Sequence, residues 1–420
     1  MEKEEQQKYD VIIAGAGMVG LTLALSLARA GLQVAVIEKT TMPEQLETNF
    51  DGRVCAISLG SQRVLDDAGA WEFMSQNAEP ILDIRVTDGA TPFFLHYDHE
   101  EVGDEPFGFI IENRHTRYGL QKAAGNLPNF FSCHPREGGD LGLALGNGAL
   151  NIIDGFAIKT MKNDAAGASI IAENGEILTT RLIIGADGRG SQIRELAGIE
   201  KTAWDYAQTA IVCTITHELS HDGLAQERFL PAGPFAVLPM TGNRSSLVWV
   251  EPTDRASIYL ELPEDEFLQE ISERVGGYLG KITSSETRFS YHLSLLHAKK
   301  YTAERVVLIG DAAHGMHPIA GQGVNLGFRD VAVLSALISK NATLGLDIGG
   351  AGLLREYESL RKCDSIIMLA GMDILNRLFC NNTLPVRAAR GVGLWAVGKM
   401  PPLKRFFMRH AMGLVYKMPS

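Results

Sequence analysis

Cysteine is scarce. The chain of 420 residues has five (Cys55, Cys133, Cys213, Cys363 and Cys380), an odd number with no Cys-x-x-Cys pair. That pattern excludes a disulfide scaffold and a structural zinc site, and suits free thiols in a reducing cytoplasm. Basic charge is in deficit: 39 Lys and Arg stand against 50 Asp and Glu, a net charge of -11. So acidic a chain is a poor nucleic-acid binder. Long apolar runs are also missing. Val11 to Ala28 is uncharged, but Gly15, Gly17 and Gly20 interrupt it, so a buried strand followed by a helix explains it better than a membrane span. Met1 to Asp10 is acidic and polar, unlike a secretion signal, and the expectation is a cytoplasmic protein. Acidic residues, finally, are absent from Ile374 to Ser420, where eight Lys and Arg occur.

What is present is a large apolar fraction, 45%, with 44 glycines, enough for a sizeable core. Val11-Ile12-Ile13-Ala14 is β-branched and runs into Gly15-Ala16-Gly17-Met18-Val19-Gly20. Leu21 to Ala30 has helical character, and Val34 to Ile37 forms a second apolar strand closed by Glu38. This is the context that a dinucleotide fingerprint requires. Gly15 allows the tight turn, Gly17 lets a pyrophosphate approach the backbone, and Gly20 lets helix and strand pack closely. The phosphates then face the helix N-terminus. Glu38 accepts from ribose hydroxyls, which favours an adenosine without a 2′-phosphate, as in FAD or NAD.

Two further motifs close strands in the same way. Leu182-Ile183-Ile184-Gly185-Ala186-Asp187-Gly188 leads into a short helix over 191–198, and Arg305 to Ile309 ends in Gly310-Asp311. After Ala312-Ala313-His314 come Pro318 and Gly321-Gln322-Gly323-Val324-Asn325-Leu326-Gly327, which open a helix over 324–337. A carboxylate at the C-terminal end of a parallel strand sits where α/β sheets bind ligands, and it can accept from sugar hydroxyls. His314 and His317 are three apart without an acidic third ligand, so packing or hydrogen bonding explains them better than a metal.

Together, Gly15 to Gly20, Gly185 to Gly188 and Gly310 to Gly327 resemble the FAD-dependent aromatic hydroxylases of the p-hydroxybenzoate hydroxylase fold, most closely the ubiquinone-biosynthesis hydroxylases. The similarity continues through Asp51-Gly52-Arg53, Glu112-Asn113, Tyr206 to Gln208, Glu227-Arg228-Phe229, Gly233 to Pro239, Gly371 to Phe379 and Pro402 to Arg405. The resemblance implies an α/β fold in which a Rossmann-like FAD-binding domain carries an inserted β-sheet substrate domain and C-terminal helices. It implies FAD, NAD(P)H as electron donor, and O2. It also implies a polyprenylated phenol whose ring is hydroxylated through a flavin C4a-hydroperoxide. Two alternatives stand beside this: a related flavoprotein acting on another aromatic or isoprenoid, and a non-catalytic flavoprotein subunit of a biosynthetic complex.

The resemblance assigns roles as well. Gly15, Gly17 and Gly20 would cradle the pyrophosphate and Glu38 the adenosine ribose. Arg53 would lie near the pyrophosphate and ribityl chain, and Asn113 would make a polar flavin contact. Asp187 belongs to a motif for dinucleotide handling, while Gly310 and Asp311 would hold the ribityl chain. Pro318, Gly321, Gln322, Gly323, Val324 and Asn325 would line the isoalloxazine, with Pro318 and Arg53 closest to the chemistry. Arg189 and Arg194 are expected to be solvated or salt-bridged rather than phosphate contacts. For Tyr206, Tyr291 and His292, core roles outweigh contact with a substrate phenol.

The expected division gives residues 1–75, 107–200 and 290–345 to FAD binding, 76–106 and 201–289 to the substrate, and 346–420 to C-terminal helices. Phe235 to Pro239 and Ser246 to Val250 alternate as strands of a substrate sheet. Asn129 to Gly155, rich in glycine and without a sustained hydrophobic period, is expected to be an exposed irregular loop. Leu354, Tyr357, Leu360, Ile367, Leu369, Leu375 and Leu378 are expected to share a buried helical stripe. Beyond them, Trp395, Phe406 and Phe407 alternate with Lys399, Lys404, Arg405 and Arg409. That pattern suits either solvated helix faces or peripheral contact with the inner face of an anionic cytoplasmic membrane.

Overall fold

A computed structural model describes residues 8–40, 51–89, 94–133, 150–316, 321–380 and 383–414. Its first sheet forms around the β-branched run of β1 (Lys8–Ala14), with β2 (Val34–Glu38) and β12 (Ile177–Gly185) parallel on either side. Beyond β2 lie β9 (Leu150–Asp154) and β8 (Phe130–Cys133). Beyond β12 lie β11 (Ala168–Ala172) and β10 (Ile158–Asn163), while β20 (Val306–Leu308) also pairs with β12 and takes β19 (Thr302–Ala303). Val11 to Ala14, Val34 to Ile37 and Leu182 to Ile184 are all buried, as strands covered on both faces must be. Three helices provide much of that cover: α1 (Met18–Arg29), α3 (Asn113–Gly125) and α7 (Gly323–Thr343). α1 and α7 approach closely at Gly327, where a Cβ would lie 2.6 Å from Val19 Cγ2.

β8 and β9 correct the expected loop. Their residues pair in register from Phe130↔Leu150 to Cys133↔Ile153, and Leu150 to Asp154 are buried throughout. The glycines around them masked the short apolar run Leu150-Asn151-Ile152-Ile153. Residues 134–149 lie outside the described residues.

The second sheet runs β21 (His314–Gly315), β18 (Phe289–Ala298), β13 (Lys201–His217), β16 (Arg244–Pro252), β15 (Gly233–Met240), β14 (Leu224–Leu230), β5 (Asp83–Asp88) and β6 (Phe94–Asp98), with β17 (Ile282–Ser285) on β13. The two strands expected from alternation are β15 and β16. One face of this sheet packs Ile211, Cys213, Phe235, Val237, Leu247 and Trp249 against α5 (Thr253–Glu261) and α6 (Glu264–Val275). The other face looks toward the first sheet. Between them a small sheet, β3 (Val54–Ser58), β7 (Gly108–Glu112) and β4 (Glu79–Ile81), leads through Ser58 into α2 (Leu59–Asp67). The Ser58 hydroxyl accepts from Ser61 N, capping α2.

The C-terminal helices close the end of the second sheet. α8 (Ala351–Cys380) packs on α7, β14 and β15, but only part of its expected stripe is buried. Leu354, Tyr357 and Leu369 are inside, whereas Leu360, Ile367, Leu375 and Leu378 are exposed. The buried face of α8 runs instead through Arg361, Asp364, Ser365, Met368, Asn376 and Phe379, so the exposed residues lie beside that seam rather than on it. α9 (Leu384–Lys399) is pinned by the buried pair Arg390–Asp88 at 3.0 Å, and α10 (Pro401–Ala411) docks through Met408, followed by Met412. Among the described residues no helix is long and apolar enough to cross a membrane.

Candidate functional site

The parallel strands bring the sequence motifs to one edge. In the order β20, β12, β1, β2, their carboxyl ends lead to Gly310-Asp311, Ala186-Asp187, Gly15-Ala16-Gly17 and Glu38. A strand spacing of about 4.8 Å puts roughly 15 Å between the first and last of them. This edge is where open α/β sheets hold ligands.

At the β1 end the chain turns because Gly15 adopts φ +108°; a Cβ there would sit 2.4 Å from Ala186 O. Gly20 lies so close under the loop that its Cβ would meet Gly15 O at 2.1 Å. Gly17 is the opposite case: a Cβ on it would meet nothing within 4 Å, and it starts α1 without a side-chain cap. The first-turn amides of α1 therefore face an open cradle suited to an anion. Glu38 leans over the same loop: its Oε2 accepts from Ala16 N at 2.9 Å and its Oε1 from Thr40 N at 3.1 Å.

The Gly310 turn rests on buried charge. Gly310 N donates to Asp330 Oδ2 at 2.8 Å, and His314 Nε2 meets the same oxygen at 2.7 Å. Arg361 Nε donates to Asp330 Oδ1 and Arg361 Nη1 to Asp364 Oδ2, each at 2.7 Å. Burial alone would raise the Asp330 pKa, but His314 and Arg361 outweigh it and hold the carboxyl below its ordinary value. Asp311 itself is partly exposed and takes Arg189 Nε at 3.3 Å. Arg189 also donates to Ser294 O and Met316 O, joining the two sheets. Arg194 departs from expectation, being neither solvated nor salt-bridged. It is buried, and it donates to Ala312 O and Arg189 O at 2.9 Å.

Other expected site residues turn out to build the frame. Asp187 Oδ2 accepts from Gln192 N at 2.7 Å and Ile193 N at 3.1 Å, which caps α4 (Gln192–Leu196). Asn325 Nδ2 donates to Ala56 O at 2.8 Å and its Oδ1 accepts from Ser58 N at 2.9 Å, tying α7 to β3. Gly321, at φ +60°, leaves room for Ala56, whose Cβ would lie 2.8 Å from a Cβ on it. Gln322 starts α7 with no side-chain cap, so Gly323, Val324 and Asn325 present a second uncapped helix N-terminus. Pro318 and His317 lie outside the described residues.

Arg53 pairs with Asp51 at 2.6 Å, and its guanidinium carbon lies 5.1 Å from the Tyr291 ring centre. Tyr291 donates to Asp51 O at 2.6 Å. Asn113 Oδ1 accepts from Cys55 Sγ at 2.8 Å, and burial pushes the Cys55 thiol up to about 12, keeping it a donor. Tyr206 donates to Asp373 Oδ1 at 3.1 Å, and His292 Nε2 lies 2.6 Å from Asp205. All three candidate phenol contacts thus have partners within the protein.

Two uncapped helix N-termini, an open glycine cradle and the carboxylates Glu38 and Asp311 on one sheet edge make a donor and acceptor set that fits an extended dinucleotide with a second anionic end. The class is that of a dinucleotide-binding α/β protein. The FAD binding domain family model matches residues 8–125 and 148–363. A ubiquinone hydroxylase of Rhodospirillum rubrum is 46% identical over 404 residues, covering 96% of this chain and 89% of that protein. The 3-demethoxyubiquinol 3-hydroxylase of Escherichia coli is 31% identical, covering 97% and 99%. In fold the chain is similar to a probable FAD-dependent monooxygenase from Pseudomonas aeruginosa, with a TM-score of 0.75 at 20% identity over 93% of this chain and 100% of that one. The chain belongs to the FAD-binding family and, within it, stands with the ubiquinone hydroxylases. It is an FAD-dependent monooxygenase of the NAD(P)H-linked class.

Sequence reasoning missed the Asp330–Arg361–Asp364 cluster. Its signal was there: Asp330 interrupts an otherwise apolar helical stripe, and Arg361 and Asp364 are three apart on the next helix.

Proposed function

We propose that this chain hydroxylates the aromatic ring of a polyprenylated phenol in ubiquinone biosynthesis. The observation that carries the reading is the pairing of the FAD-side edge with a facing apolar sheet surface, in a chain 46% identical to a ubiquinone hydroxylase along nearly its whole length. Bound FAD, once reduced by NAD(P)H, supplies the activation of O2. The protein binds, orients and excludes water. The open cradle at Gly15, Gly17 and Gly20 receives the pyrophosphate, and Glu38 receives the adenosine ribose. Gly310 and Asp311 hold the ribityl chain, with Arg53 and Asn113 bracing the turn that closes over it. The α7 N-terminus from Gly321 through Gln322, Gly323, Val324 and Asn325 favours negative charge on the flavin edge. Asp187 acts through α4.

In this reading the second sheet, β5 and β6 included, forms the substrate wall over the FAD-binding part, and α8–α10 close its end. α10 is docked by Met408 and turns Arg405, Phe406, Phe407 and Arg409 outward, a basic and aromatic face suited to an anionic lipid surface. The greasy substrate is met there, with the protein peripheral to the cytoplasmic membrane and in contact with other enzymes of the route. Complementation of bacterial strains each lacking one ring-hydroxylation step, with quinone intermediates read by mass spectrometry, tests the activity. Failure in every strain would sink it. Sedimentation with anionic liposomes tests the lipid face: Phe406→Ser/Phe407→Ser should leave the pellet, and equal partitioning of both proteins would count against the contact.

A further inference from the structure

Glu227 is used by nothing described so far. On β14 the alternation of side chains puts it on the same face as Ala225 and Phe229. Ladder pairing then sets it in one row across the second sheet: Val86, Glu227, Ala236, Val248, Val212 and Phe289 lie opposite one another in turn. Residues directly opposite point to the same face. Glu227 is therefore the single acid in an apolar row facing the compartment between the two sheets.

Both ends of that compartment are defined. Phe289 packs where a Cβ on Gly52 would be, 2.1 Å from its ring, beside Arg53. Ala225 clusters with Leu238 and with Ala56, the residue that a side chain on Gly321 would strike. The wall holding Glu227 is thus continuous with the loop that receives the flavin. On the other side, Phe229 clusters with Leu95, Phe379, Val86, Tyr97, Met372 and Val397, which brings in the C-terminal helices.

Glu227 lies deep in the protein yet keeps part of its surface accessible, as a side chain lining a narrow cleft does. Among the described residues its carboxyl has no hydrogen-bond or ion-pair partner. Asp88, which lies opposite Phe229 on β5, is paired with Arg390, and elsewhere on this side Asp373 holds Tyr206 and Arg377 while Tyr291 donates to Asp51. Tyr97 is held neutral by burial, its pKa pushed up to about 12. Nothing charged stands near enough to offset desolvation, which pushes Glu227 up to about 7. An unpartnered buried carboxyl is costly, and sites of this kind are where proton-handling groups are found.

We propose that Glu227 is the catalytic base that accepts the hydroxyl proton of the substrate phenol. This rests on the hydroxylase reading above. Removing that proton enriches the ring in electrons as one oxygen atom of O2 bonds to a ring carbon. The displaced ring proton restores the hydroxyl count. The second oxygen atom leaves as water, taking the hydride equivalent of NAD(P)H (two electrons and one proton) and one proton from solvent. Glu227 gives its proton back to the product oxygen it came from, so the product carries two hydroxyls and the carboxylate is restored once per turnover.

The test uses FAD-loaded full-length protein with 2-prenylphenol as probe, measuring NAD(P)H and O2 consumption and hydroxylated product from pH 5.5 to 9. Wild type should show kcat/KM rising with pH through about 7, as Glu227 ionises. Glu227→Gln should lose about 100-fold in phenol-stimulated turnover and lose that limb, while FAD content and the circular-dichroism spectrum match wild type. Glu227→Ala should regain part of the turnover when acetate is added, a rescue that a structural role does not give. A Glu227→Gln enzyme within about three-fold of wild type, with the acidic limb intact, overturns the proposal and leaves the hydroxylase reading standing. Wild type with no phenol-stimulated turnover overturns both.

Discussion

The Gly15 turn and the Gly310 turn lie two strands apart on the same sheet edge, each closing a parallel strand. They are held by different physics. The first works through missing atoms: Gly15 and Gly20 leave no Cβ to collide with Ala186 O and Gly15 O. The second works through charge buried far away in the chain, with Asp330 from α7 gripping Gly310 N and His314 while Arg361 from α8 holds Asp330. Steric cradles are written locally. Electrostatic ones need a second and third element to arrive before they exist.

The sharpest break of this comparison is Asp330→Asn. It removes the buried negative charge that Arg361 and His314 share and loosens Gly310, so about 3–5 kcal/mol of stability should be lost in urea titrations, with FAD content falling in parallel. An unchanged midpoint would remove the electrostatic half of the contrast. The pH dependence has the same origin. The folded pKa of Asp330 is depressed, so its contribution is present above the ordinary carboxylate value and disappears as pH falls through the folded one. Acid unfolding should be steep in wild type and flatter in Asp330→Asn, read by circular dichroism.

The steric half is tested by Gly20→Ala. With Gly15 O 2.1 Å from the new Cβ, the loop must move, at a cost of about 1–3 kcal/mol and a weaker FAD titration. The same substitution at Gly17, where nothing lies within 4 Å, should leave the apoprotein's midpoint near wild type. Asn325→Ala strands Ser58 N and Ala56 O and should cost about 1–2 kcal/mol, again with loss of flavin. The smallest effect is expected from Ser58→Ala, which deletes the α2 cap for about 1 kcal/mol and leaves FAD affinity nearly unchanged.

Legibility in the sequence followed the same division. Val11 to Glu38 showed strand, loop and helix because β-branched runs, glycine spacing and helical periodicity are local. β15 and β16 were equally plain. The Leu150–Asp154 strand was obscured because its neighbours are glycine-rich and its partner, β2, is over a hundred residues away in the chain. The α8 stripe misled in the opposite sense: the face that is buried carries Arg361, Asp364, Ser365 and Asn376, which a count of apolar residues passes over, so Ile367 ends up exposed.

Gly15 to Gly20, Gly310-Asp311 and Glu38 marked by themselves where parallel strands end in tight turns and carboxylates, because backbone freedom and a terminal carboxylate are properties of short segments. Only the tertiary structure decided that Asn325 and Asp187 serve the frame, that Asp330 and Arg361 anchor the Gly310 turn, and that Glu227 stands alone among apolar neighbours. Partnership, burial and their absence depend on which strands and helices meet, and no spacing along the chain encodes that.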